Sequence, residues 1–335
     1  MRSARLQLMG EVKWMVPPRR NIIGGGSIGP ASQDVGTEAD MTAVKGTHFR
    51  ELVETERPLV LPGAHDALSA MLIRQAGFKA YFIGGFPLVG VRYGLPDIGL
   101  AGLGEISAGI RDIMAASDLP VLVDIDNGYG DVKNVVHAVH TYERMGAQAL
   151  FFEDQVSPKR CGHIAGKELL ATGQMEGRIR AAAENRLDPA TYIIARTDAR
   201  EVHGIEEALR RGERYARAGA DAVFVEAPES VEEMRRIGAE LAGIRLMANM
   251  LEGGRTPILR PAELESLGFR IVIYGISLLM RITRLMQDSL ADLKSGELKL
   301  VGSGVGFEEY KRIIGFSRWA ALEDRYEPRP QERRG

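Results

Sequence analysis

The sequence predicts an α/β protein folded as a (β/α)8 TIM-type barrel. Three observations carry that expectation. Short β-rich runs alternate with amphipathic helical runs eight times between residues 46 and 296. Most of these runs are apolar and partly β-branched, as parallel strands buried on both faces should be. Five consecutive runs, the third to the seventh, end in polar side chains, and barrels place their chemistry at those C-terminal strand ends. A doubly wound sheet is the alternative. A dinucleotide-binding sheet of that kind carries a Gly-rich turn after its first strand, and Pro62-Gly63-Ala64-His65 does not supply one.

In chain order the predicted strands are Leu59–Leu61, Ala80–Ile83, Val121–Ile125, Ala149–Glu153, Tyr192–Arg196, Ala222–Glu226, Arg245–Ala248 and Ile271–Tyr274. Between the first two, Asp66–Gln75 has apolar residues at 67, 68, 71 and 72 and reaches Gly77, a helix stop. Ile205–Ala218 is charged on one face and closes at Gly219, and Val231–Leu241 and Leu278–Leu293 are also amphipathic. Phe86–Tyr93 reads as a loop that carries Arg92. Residues 46–296 therefore form the barrel domain. Residues 297–335 add a helical extension, with a Gly-rich turn, a helix around Phe307–Ile314 and a charged tail. Residues 1–45 lack periodic apolar positions and read as a mobile tail, with Met41 as a possible true start. Gly24-Gly25-Gly26-Ser27-Ile28-Gly29 matches a dinucleotide-binding pattern there. No strand precedes it, and Pro30 stands where a helix should open.

Composition narrows the class. The formal net charge is -2 without a basic block, so nucleic acid is not expected as a partner. No apolar run approaches the roughly 18 residues of a membrane span. One cysteine in 335 residues excludes an internal disulfide and suits a reducing cytoplasm. The N-terminus lacks the apolar core of a secretory signal.

The strand ends hold the candidate chemistry. Asp124 and Asp126 are two apart, so in an extended strand their side chains share a face. With Glu153 at the next strand end they are hard oxygen ligands, suited to Mg²⁺ or Mn²⁺. Mg²⁺ keeps several waters, so one or two direct carboxylates suffice. Arg196 offers a planar fork to a substrate carboxylate or phosphonate, or else pairs structurally with Glu226 or Asp198. Glu226 and Asn249 are placed to orient substrate oxygens. Beyond the fourth strand, Lys159-Arg160-Cys161-Gly162-His163 surrounds the only thiol with two cations and a histidine. Positive neighbours stabilise a thiolate, so Cys161 is a candidate for proton transfer near neutral pH. His163 would bind substrate, tune Cys161 or cap a loop.

Together these segments resemble the isocitrate lyase and phosphoenolpyruvate mutase superfamily over roughly residues 47–330. The resemblance rests on Gly94-Leu95-Pro96-Asp97, Asp124 to Gly130, Glu153-Asp154-Gln155, Lys159 to His163, Ala195-Arg196-Thr197-Asp198, and Asn249 to Pro257. It implies a barrel that exchanges its eighth helix between subunits, usually in a homotetramer built as a dimer of dimers. It implies Mg²⁺ held directly or through water by Asp124 and Asp126, with Asp97 and Glu153 around it. Gly84, Gly85, Arg196 and Asn249 would hold a small carboxylate substrate beside Tyr81. In the lyase branch Cys161 would be the general acid of a carbon–carbon cleavage. The carboxyphosphonoenolpyruvate phosphonomutases, dimethylmalate lyases and oxaloacetate hydrolases look similar as well. Lyases of the family usually carry a hydroxyl residue before the glycine pair, where this chain has Ile83. That departure and the segment with Arg92 weigh against a standard methylisocitrate or isocitrate substrate.

Overall fold

The computed structural model describes residues 48–160 and 166–327. The predicted tail, Cys161 and His163 lie outside the described residues. The eight predicted strands all form: β1 (Leu59–Pro62), β2 (Tyr81–Ile83), β3 (Val121–Asp124), β4 (Ala149–Glu153), β5 (Tyr192–Thr197), β6 (Ala222–Val225), β7 (Leu246–Asn249) and β8 (Phe269–Tyr274). They pair in parallel in the order β1-β8-β7-β6-β5-β4-β3-β2. A bridge between Gly63 and Phe82 brings β1 towards β2 and nearly closes the ring. Closure depends on a missing side chain. A Cβ at Gly63 would lie 2.1 Å from the Gly275 carbonyl oxygen, a distance no packing tolerates.

Strand alternation divides the apolar residues into two layers. Leu61, Phe82, Leu122, Phe151, Phe224 and Met247 fill the barrel interior. Tyr81, Ile83, Val123, Phe152, Ala195 and Val225 face outward into the helix layer. The helices before the strand-five crossover are α1 (Phe49–Thr55), α2 (Ala67–Gln75), α3 (Gly85–Tyr93), α4 (Leu103–Met114), α5 (Val132–Met145) and α6 (Thr172–Asn185). Those after it are α7 (Ala199–His203), α8 (Ile205–Arg217), α9 (Val231–Glu240), α10 (Pro261–Ser266), α11 (Ser277–Ser295), α12 (Phe307–Ile313) and α13 (Phe316–Tyr326). The helix start at α2 is fixed by a capping box, in which Asp66 accepts from the Ser69 amide at 2.7 Å.

One end of the barrel is plugged. Helix α1 buries Phe49, Leu52 and Val53 in the interior layer. Its first amide donates to Gln148 at 2.8 Å, and Arg50 pairs with Asp221 at 2.9 Å, both just before strand N-termini. Access to the interior is therefore from the C-terminal strand ends.

Two local expectations are corrected. Phe86–Tyr93 is not a loop but most of α3, which Gly84 and Gly85 open and Pro87 tolerates in its first turn. Its Arg92 is paired with Asp112 and Tyr93 on the surface, away from the barrel mouth. Strand β3 stops at Asp124, and Asp126 adopts φ +51°. Among the described residues, no helix is long and apolar enough to cross a membrane.

Candidate active site

The polar residues at the strand ends meet in a small cavity of about 60 Å³, room for a few waters. Strand alternation explains which ones arrive. Counting in twos along the inward face gives Leu122 then Asp124, Phe151 then Glu153, Ile194 then Arg196, Phe224 then Glu226, and Met247 then Asn249. Asp124, Glu153, Arg196, Glu226 and Asn249 all line the cavity. Asp126 arrives by a turn instead of by strand period. Its amide donates to Asp124 Oδ1 at 2.9 Å, so the two aspartates meet although the strand does not extend between them. Asp97 reaches the same place from the connection after α3.

The carboxylates converge on a cation that sequence reading left beside the thiol. Lys159 Nζ lies 2.5 Å from Asp97 Oδ1 and 2.6 Å from Asp126 Oδ1. Gly85 permits this crowding, because a Cβ there would stand 3.2 Å from Asp126 Oδ1 and 3.7 Å from Lys159 Nζ. Among the described residues, no three His, Cys, Asp or Glu side chains converge as a ready metal cage. Of the four acidic residues expected around an ion, Asp97, Asp124, Asp126 and Glu153, Lys159 engages Asp97 and Asp126. Asp124 has no such partner at salt-bridge distance among the described residues, and it faces the cavity.

The electrostatics leave room for a divalent cation. Burial, then the neighbouring Asp126, pushes the Asp124 carboxyl up to about 7. Burial also holds Glu153 well above the usual carboxylate range, against the pull of Arg196 and Lys159. Glu153 Oε1 has no hydrogen-bond partner among the described residues, nor has Asn249 Oδ1. Hard oxygen donors with excess negative charge and an unsatisfied carboxylate oxygen fit a Mg²⁺-type ion.

Arg196 is buried but held by several partners. Its Nε and Nη2 donate to Asp198 at 3.1 and 2.9 Å, its Nη1 lies 3.3 Å from Glu153, and Glu226 lies 3.9 Å from Nε. The structural-pair alternative for Arg196 is thus realised, and the cavity-facing role coexists with it. Gly84 also lines the cavity. Tyr81 does not come to the site. It occupies the outward face of β2, fully buried against the helices, with Ile83 on the same face. Phe82, between them, points inward and lines the cavity. The missing hydroxyl at position 83 therefore removes nothing from the cavity wall.

Comparison with known proteins points the same way. A family model described as phosphoenolpyruvate phosphomutase matches residues 49–294. A 2,3-dimethylmalate lyase from Eubacterium barkeri is 42% identical over 280 residues, covering 83% of this chain and 96% of its own. A crystal structure of 2,3-dimethylmalate lyase aligns with a TM-score of 0.77 at 34% identity, over 82% of this chain and 93% of that one. A phosphonopyruvate hydrolase in complex with oxalate and Mg²⁺ aligns with a TM-score of 0.74 at 29% identity, over 83% of this chain and 97% of that one.

Proposed function

The chain belongs to the phosphoenolpyruvate phosphomutase family, and on that premise we propose that it is a Mg²⁺-dependent carbon–carbon lyase. Its substrate is a small 2-hydroxy dicarboxylate of the 2,3-dimethylmalate type, cleaved to a 2-keto acid and a second acid. One observation carries the reading: Asp124 faces the cavity without an ammonium partner among the described residues, beside the end of a rigidly held Arg196 fork. The first suits a metal and the second a carboxylate. Apolar walls from Phe82, Phe86, Phe151 and Phe224 suit methyl-bearing carbons more than a third carboxylate, which disfavours the 2-methylisocitrate type.

Asp124 would hold Mg²⁺ directly, and Asp97, Asp126 and Glu153 would hold its waters; Mn²⁺ suits the same donors. When bound, the ion would fix the 2-hydroxy carboxylate and favour negative charge on its oxygens. Arg196 Nη1 binds the departing carboxylate, and Glu226 and Asn249 orient the oxygens of the other fragment. Glu153 Oε1 takes the hydroxyl proton. The adjacent C–C bond then breaks, its electron pair passes to the carbon beside the departing carboxylate, and a carbonyl forms behind it. The Cys161 thiol gives its proton to that carbon; Glu153 then releases the hydroxyl proton to solvent, and the thiolate regains one. The part of Cys161 is argued from the sequence, where two cations and His163 flank its thiol.

The assembly follows the same lineage. We infer a homotetramer in which α11 is exchanged between copies. In one chain α11 buries only Ser277 and exposes Leu285, Met286, Leu290 and Leu293. A groove of about 840 Å³ with apolar walls at Leu72, Ile73, Phe78 and Leu278 lies beside its start. The single cysteine supports a cytoplasmic setting.

A chromatographic assay with 2,3-dimethylmalate, 2-methylisocitrate, oxaloacetate and phosphonopyruvate, each with Mg²⁺, tests the reading. Pyruvate and propanoate from 2,3-dimethylmalate are expected, lost with chelator and restored by Mg²⁺ or Mn²⁺. Turnover of phosphonopyruvate alone would assign phosphorus–carbon chemistry instead.

A further inference from the structure

Asp198 is not part of the cavity wall, but it grips the arginine that is. It is almost fully buried, at 1% exposure. Its two oxygens accept from Arg196 Nε and Nη2, a side-on grip that leaves Nη1 as the arm towards Glu153 and the cavity. Gln155 Nε2 donates to the same carboxylate at 3.2 Å. That amide also pairs both ways with the Arg160 backbone: Oε1 accepts from Arg160 N at 2.8 Å, and Nε2 donates to Arg160 O at 2.9 Å. From the other side, Lys167 Nζ lies 3.4 Å from Asp198 Oδ1 and pairs with Glu201. The cavity arginine and two residues that flank 161–165, Arg160 and Lys167, are therefore tied to one carboxylate.

Asp198 is itself fixed from behind. Its amide donates to Asp154 Oδ1 at 2.9 Å, and Asp154 Oδ2 accepts from Thr197, Arg211 and Tyr215. The negative charge and both oxygens are needed. Arg196, through two nitrogens, Gln155 and Lys167 all donate to or pair with Asp198, and an amide in its place would turn one N–H towards a donor.

We propose that Asp198 is the positioning residue of this site. It sets the plane of Arg196 for a substrate carboxylate, and it holds Arg160 and Lys167 in register with that arginine. The first part rests on the reading of the cavity as a carboxylate site; the second is independent of the reaction.

The test uses the full chain and four variants: Asp198→Asn, Asp198→Glu, Lys167→Met and Arg196→Met. Oxalate with excess Mg²⁺ is the calorimetric probe, and the labelling rate of Cys161, the only cysteine, by an aromatic disulfide reagent is the second readout. Asp198→Asn should weaken oxalate binding about tenfold or more, the scale of a charge-assisted pair. In an Arg196→Met background the same change should cost less than about twofold, because the two residues act as one unit. Labelling should shift in Asp198→Asn and Lys167→Met and stay unchanged in Arg196→Met. Unchanged oxalate affinity in Asp198→Asn, additive losses, or unchanged labelling in Lys167→Met would each overturn the proposal. If Asp198→Asn does not fold, Asp198→Glu replaces it, with weakened oxalate binding again required. If the wild-type protein neither binds oxalate nor cleaves a carboxylate, the lyase reading fails, and the labelling arms still decide whether Asp198 holds the flanks.

Discussion

At the scale of single residues, the site is built by sharing: Asp97 and Asp126 divide the Lys159 ammonium, and Asp198 and Glu153 divide the Arg196 guanidinium. Asp124, Glu153, Arg196, Glu226 and Asn249 were legible because each follows an apolar strand and continues its inward period. The same count in twos would have placed Phe82 inside and Tyr81 outside, where the structure has them. Lys159 was harder. It read as a neighbour of the thiol, and only the fold brings its ammonium between Asp97 and Asp126. Asp154 and Gln155 looked like strand-end polarity, although Asp154 turns outward to Arg211 and Tyr215 and Gln155 reaches Asp198 behind the cavity arginine. The residue-level prediction concerns Cys161. Cys161→Ser is nearly isosteric but a far weaker acid, so carbon–carbon cleavage should fall about 10²–10⁴-fold, the usual scale for a positioned proton donor. Substrate affinity should change much less. Single-turnover rates and KM for the two proteins check this, and a serine variant with near-wild-type turnover would remove the thiol from the mechanism.

At the scale of elements, the strands were readable because parallel strands covered on both faces run as short apolar segments. Helix α3 was not. Its Gly85, Pro87 and Gly90 are poor helix formers, and it holds together by packing Leu88 and Val89 against the neighbouring layer. The end of β3 was also missed by one residue, because Asp126 leaves the extended region and Asp124 instead accepts its amide. Ring closure is the most demanding element-level feature. At Gly63 any side chain meets the backbone of Gly275, which has no flexible end to move aside. Gly63→Ala should therefore lower the unfolding free energy by about 1–3 kcal/mol, as overpacking does in a filled site. Urea denaturation reads this directly. An unchanged midpoint and slope would show that β1 and β8 yield more easily than their close approach suggests.

For the whole molecule, alternation along the chain was enough to read a barrel, and the plug formed by α1 explains why chemistry is confined to one end. The proposed exchange of α11 between copies rests on resemblance, since an amphipathic helix packs equally well on its own barrel or on another. The exposed row of Leu285, Met286, Leu290 and Leu293 makes it testable. Sedimentation equilibrium should give four times the chain mass. Leu290→Lys combined with Leu293→Lys should shift the protein to smaller species. A wild-type monomer would contradict helix exchange. Proton NMR of 2,3-dimethylmalate with Mg²⁺ in deuterium oxide identifies the bond that breaks. Pyruvate and propanoate should appear in equal amounts, with one deuterium at C2 of the propanoate, delivered where the carbanion formed. Unchanged 2,3-dimethylmalate beside conversion of phosphonopyruvate under the same conditions would exclude carbon–carbon cleavage of this substrate and point to phosphorus–carbon chemistry.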